Sequence, residues 1–114
     1  MAFAAYADVF DTIAEAFKAG DAKEAARYFD TSIELKTLDK SSVYSRAQAE
    51  IVLKEFFDKH PVKSFKVIHR GSSAKGAQYA IGDLQTQKGN FRTYIYIKVI
   101  QGKTFIQELS IEAE

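Results

Sequence analysis

The sequence predicts an α+β fold, with helices in its first half and an antiparallel sheet in its second. Three observations point there. Apolar residues recur at helical spacing before Pro61 and switch to alternation after it. The segments between the later runs are short and rich in turn formers. Helices grouped ahead of strands argue for α+β and against a sheet wound alternately with helices. No repeat, linker or change of composition divides the 114 residues, so residues 1–114 read as one domain.

In residues 4–19, Tyr6, Phe10, Ile13 and Phe17 recur at intervals of four, three and four, which forms one stripe of an amphipathic helix. Gly20 stops it. Asp21-Ala22-Lys23-Glu24 spells a capping box, opening a second helix that runs to about Phe29 and completes a helical hairpin. Residues 33–38 favour a strand, 39–42 form a polar turn, and Val43-Tyr44 pair back as a short β element. Ser45-Arg46-Ala47-Gln48 is a second capping box. The third helix it opens shows Ala49, Val52, Leu53, Phe56, Phe57 and His60 on one face, until Pro61 ends it. Four main strands follow at 64–70, 77–86, 91–100 and 104–112, joined as a meander, and the three helices cover one face of the bent sheet.

Alternation assigns the two faces of that sheet. Phe91, Thr93, Ile95, Ile97 and Val99 point to the helices, and Arg92, Tyr94, Tyr96 and Lys98 point away. In the last strand Phe105, Gln107, Leu109 and Ile111 share the core face, opposite Ile106, Glu108, Ser110 and Glu112. Phe65, Val67 and His69 oppose Lys66, Ile68 and Arg70. Two polar side chains, His69 and Gln107, therefore fall on core faces. Tyr79 and Ile81 keep one phase and Leu84 arrives a residue late, which a bulge at Gly82-Asp83 would absorb.

Composition narrows the function. Sixteen basic against fifteen acidic residues give a net charge of +1, and no RNA-binding signature occurs, so nucleic acid is not an expected partner. With 46% hydrophobic residues, one Pro and six Gly, the chain is not of a disordered class, and no apolar run has the ~20 residues of a membrane span. The absence of cysteine removes disulfides, thiolate catalysis and sulfur-ligated zinc. Two histidines without metal-ligand spacing predict no metal site. Gly71-Ser72-Ser73-Ala74-Lys75-Gly76 imitates a phosphate loop, but Ala77-Gln78 and a strand follow where Lys-Ser/Thr and a helix are required. No cofactor is expected.

Several segments resemble a known family. Phe17-Lys18-Ala19-Gly20-Asp21-Ala22-Lys23, Tyr28-Phe29-Asp30 and Val43-Tyr44-Ser45-Arg46-Ala47-Gln48-Ala49-Glu50 are similar to the bacterial proteins called domain of unknown function 4783. So are Ser64-Phe65-Lys66-Val67-Ile68-His69-Arg70-Gly71, Tyr79-Ala80-Ile81-Gly82 and Ile106-Gln107-Glu108-Leu109. The resemblance covers nearly the whole chain. It implies the nuclear-transport-factor-2-like, or cystatin-like, cone fold, and no activity. It also implies an exported protein, periplasmic or secreted. Met1 to Tyr6 carry no basic segment followed by a long apolar one, and the cytoplasm is the alternative.

Two loci are candidates for function. Cone folds of this superfamily often hold a pocket between helices and sheet, and here it would be lined by His69, Gln107, Tyr44, Tyr79 and Asp83. The expected role is a non-catalytic binding module for a small ligand or a protein. The alternative is a lyase or isomerase with His69 as base and Tyr44 as hydrogen-bond donor. Each residue also has a structural reading: His69 as a strand-end histidine, Gln107 as an amide satisfied by backbone, Asp83 as a bulge residue. The second locus is the outer sheet face, where Arg92, Tyr94, Tyr96 and Lys98 suit a homodimer interface.

Overall fold

The computed structural model describes residues 9–38, 40–73 and 75–114. Tyr6, assigned to the first helical stripe, lies outside the described residues. Helix α1 (Val9–Lys18) buries Phe10, Ile13, Ala16 and Phe17 along its inner side. Gly20 then takes φ +65°, a left-handed conformation that turns the chain toward α2 (Ala22–Ala26). The Asp21 carboxylate accepts from the Glu24 backbone N–H at 3.1 Å. Glu24 pairs with Arg27 at 3.4 Å, so only the Asp21 half of the expected box is formed. Helix α2 stops short of Phe29 because Phe29 opens a strand: it pairs with Ile106, is fully buried, and its carbonyl accepts from Arg46 Nε at 3.0 Å.

That strand corrects the expectation of four main strands and a short N-terminal element. Strands β1 (Phe29–Lys36), β2 (Ser41–Ser45), β3 (Val62–Ser72), β4 (Ala77–Thr86), β5 (Gly89–Ile100) and β6 (Lys103–Ala113) form a six-stranded sheet in the order β2-β1-β6-β5-β4-β3. Strand β1 runs parallel to β6, and the other pairs are antiparallel. Helix α3 (Arg46–Lys59) enters between β2 and β3 with its capping box complete: Gln48 N–H donates to Ser45 Oγ at 3.2 Å, and Ser45 N–H donates back to Gln48 Oε1 at 3.5 Å.

All three helices lie on one face of the sheet, α1 against β3, α3 against β1 and β2, with α2 packed on both helices. Aromatic side chains fill the space between. Phe17 meets Phe57 edge-on at 5.6 Å and Phe65 at 5.1 Å, and Phe56 meets Phe91 at 5.2 Å. Phe10, Phe29, Ile33, Leu35, Leu53, Leu84, Ile95 and Leu109 complete the layer, each at most 1% exposed. The helix-covered face is a packed core.

Two bulges reset the faces read from alternation. On β3, Val67 pairs with Gly82 but His69 pairs with Ile81, which makes Ile68 the extra residue. His69 is thereby carried from the core face to the open one and is exposed. The expected bulge at Gly82-Asp83 is absent, since β4 pairs with β5 without a break from Ala77 to Thr86. Gly82 and Leu84 share the core face, leaving Tyr79 and Ile81 on the other. A Cβ on Gly82 would lie 2.2 Å from the Phe65 ring, so glycine there admits close packing. On β6, Tyr96 pairs with Glu108 and Ile97 with Ile106, so Gln107 is extra. Ile106, expected outside, is fully buried, and Phe105, expected inside, pairs with Lys98 and is half-buried. Val99 sits beyond the helix cover and is 41% exposed.

Candidate functional site: a groove on the open sheet face

The face without helices holds a groove of about 420 Å³. Five strands build it. Strand β1 contributes Glu34 and Lys36, whose neighbours Ile33 and Leu35 are buried on the helix side. Strand β6 contributes Glu108, Ser110 and Glu112 by the same alternation, β5 contributes Arg92 and Tyr94, and β4 contributes Ile81. Ser41 of β2 closes one end beside Lys36, its register partner.

The charges along the groove are unevenly matched. Lys36 Nζ lies 3.4 Å from the Glu112 carboxylate, and Arg92 lies 3.3 Å from the carboxylate of Glu114. Glu34 and Glu108 are register partners across the parallel β1–β6 pair. Neither makes a hydrogen bond or ion pair with another described residue. Tyr94 stands between this acidic side and an aromatic row. Its ring stacks on Tyr79 at 6.0 Å, and Tyr79 meets His69 at 5.8 Å, with the phenol oxygen 3.4 Å from His69 Nε2. Burial, then the Glu108 carboxylate, then Tyr96 and Tyr79 push the Tyr94 phenol above its ordinary pKa, so Tyr94 is a neutral donor at physiological pH.

The residues nominated from sequence do not converge. Tyr44 pairs with Ile33 and packs against the core from the helix side. His69 is on the opposite face, near the β3 edge. Gln107 is half-buried and donates to the Asp30 carboxylate at 3.2 Å, a side-chain partner where backbone was the structural expectation. Tyr79 and Asp83 share the open face, and only Tyr79 touches His69. Asp83 lies between Lys66 and Arg92 in register, with one carboxylate oxygen buried and without a partner among the described residues. None of these five lines the groove. Of the outer-face residues expected at an interface, Arg92 and Tyr94 line it, and Tyr96 and Lys98 continue the same face toward the β5–β6 turn.

The candidates read from sequence do not include Glu34, Lys36, Ser41 or Ile81, nor Glu108, Ser110 and Glu112, which alternation places on the open face without marking them as a site. Glu34 and Lys36 come from β1, whose place beside β6 no local pattern announces, and Ser41 comes from β2, which reaches the groove through β1. Ile81 shares the phase of Tyr79, and the unbroken pairing of β4 on β5 puts both on the open face, opposite the buried Ala80 and Leu84. Among the described residues no group of three or more His, Asp or Glu is arranged to hold a metal ion, and no helix is long and apolar enough to cross a membrane.

Comparison with known proteins agrees with this architecture. The family model for domain of unknown function 4783 matches residues 10–112. A member of that family from Bacteroides uniformis is 31% identical, with 94% of this chain and 98% of that one covered at a TM-score of 0.87. A protein of unknown function from Shewanella baltica, described as NTF2-like, is 16% identical over 98% of this chain and 93% of that one, with a TM-score of 0.67. A cystatin-like domain of unknown function from Nostoc punctiforme is 10% identical over 98% of this chain and 76% of that one, with a TM-score of 0.73. No curated protein matches the chain. The match across residues 10–112, together with the B. uniformis relative, shows that the chain belongs to the domain of unknown function 4783 family, and its fold is the α+β, NTF2-like one.

Proposed function

We propose that this protein is a non-catalytic binding module and that its working surface is the open face of the sheet. The observation that supports this most is the groove of about 420 Å³ over Tyr94, within the size range of small-molecule sites, set against a helix-covered face packed with aromatic side chains. Aromatic and aliphatic surface from Tyr94 and Ile81 would supply burial, and the polar groups of β1 and β6 would supply orientation. The enzyme reading has less support, because His69 is exposed and Tyr44, its proposed partner, lies on the other face.

Mapping amide resonances while titrating a small-fragment library tests this reading. Hits should shift Ile81, Tyr94, Glu108 and Ser110, and Ser110→Trp, which fills the groove without touching the core, should abolish them. Shifts confined to α3 and the strands beneath it would contradict it.

A second reading, a homodimer through the same face, is favoured by the distribution of charge. Lys66, Arg92 and Lys98 gather toward β3–β5, and Glu34, Glu108 and Glu112 gather on β1 and β6. Two copies related by a twofold axis would set each basic half against the partner's acidic half. Tyr96→Glu should then convert a dimer to a monomer in solution. Unaltered protein that is already monomeric at high concentration ends this reading.

A further inference from the structure

Within the groove, the geometry points to a specific chemical class of occupant: we propose that it takes a small organic cation, its ammonium held by Glu34 and Glu108 and its hydrocarbon part lying against Tyr94 and Ile81. The inference rests on the groove being a binding site and adds the charge of what binds.

Three observations meet there. The first is the register of β1 on β6, which sets Glu34 directly beside Glu108. Neighbouring strands are about 4.8 Å apart, and like charges in register repel. Cations close by would relieve the repulsion, but Lys36 is engaged by Glu112 and Arg92 by Glu114. Two carboxylates thus share one wall of the groove with no positive group paired to either among the described residues. The second observation is the cavity itself, whose volume of about 420 Å³ suits a small molecule more than a folded partner. The third is the floor. Tyr94 lines the groove, aromatic rings attract ammonium groups, and Glu108 stands close enough to disfavour negative charge on that phenol. An anionic ligand would meet Glu34 and Glu108, which no described cation offsets, and a neutral one would leave those two carboxylates without a counter-charge.

Calorimetry on the intact chain with matched probes tests the proposal: cadaverine against pentanediol, and phenethylamine against phenylethanol. Each amine should bind and its neutral counterpart should bind at least about fivefold more weakly, as expected for a charge-assisted contact. Glu34→Gln and Glu108→Gln should each weaken amine binding about fivefold, with melting temperatures no lower than that of the unaltered protein, and added salt should weaken it further. Equal affinity for amine and alcohol, or Gln variants that bind the amines as well as before, overturns the cation and leaves the groove as a binding site. If neither amine binds while uncharged fragments still shift the groove resonances, the cation falls and the groove stands. If no probe or fragment binds, both fall.

Discussion

Tyr94 is the residue on which the account of the open face turns, and its titration is measurable. Burial is the largest influence raising its pKa from the ordinary 10.0, and the Glu108 carboxylate is the next. The unfolded chain therefore releases this proton at a lower pH than the folded one. Stability from this group is fully present below pH 10.0 and declines as the pH rises above it, because only the unfolded state gains from ionising. Tyrosinate absorbance should show a component titrating above the ordinary 10.0. Tyr94→Phe should remove it, and Glu108→Gln should lower its midpoint without bringing it to the ordinary value, since burial remains. A midpoint unmoved by Glu108→Gln would detach that carboxylate from Tyr94.

Among the elements, β3 and β6 show where sequence reading succeeds and where it stops. Alternation placed Arg92, Tyr94, Glu108 and Glu112 on the open face correctly, because a strand's period of two is local. It failed for His69 and Ile106, because a bulge is a mismatch of residue count between two paired strands and exists only once they pair. The late arrival of Leu84 is not a slip at all: β4 alternates without a break, with Ala80, Gly82 and Leu84 on the core face and Tyr79 and Ile81 on the open one. Strand β1 was shortened for a different reason: Asp30, Thr31 and Ser32 interrupt the apolar pattern between Phe29 and Ile33, and burial against β6 overrides that interruption. The Ser45 box and the Gly20 stop were legible because capping is decided within four residues. Gly82 tests the packing of β3 on β4. Gly82→Ala should destabilise by about 2 kcal/mol through overlap with the Phe65 ring, measured by denaturant unfolding, and Phe65→Leu in the same chain should recover part of the loss. An additive double variant would show that the two sites do not meet.

For the molecule as a whole, the sheet divides labour between its faces. One face is closed by three helices and packed with Phe10, Phe17, Phe29, Phe56, Phe57 and Phe65. The other stays open, and it carries the aromatic row, the charge halves and the groove. The fold class and the family were legible from the order of elements and the quoted segments, whereas the site was not. It is assembled from β1, β2, β4, β5 and β6, and β1 comes to lie beside β6 across more than seventy residues of chain, roughly the separation of Lys36 from Glu112. The central claim is that function resides on the open face, and a crystal soaked with the fragments that bind in solution tests it most directly. Density should appear in the groove over Tyr94, within reach of Glu34 and Glu108. Density between α3 and the sheet, beside Tyr44 and Phe56, would contradict it.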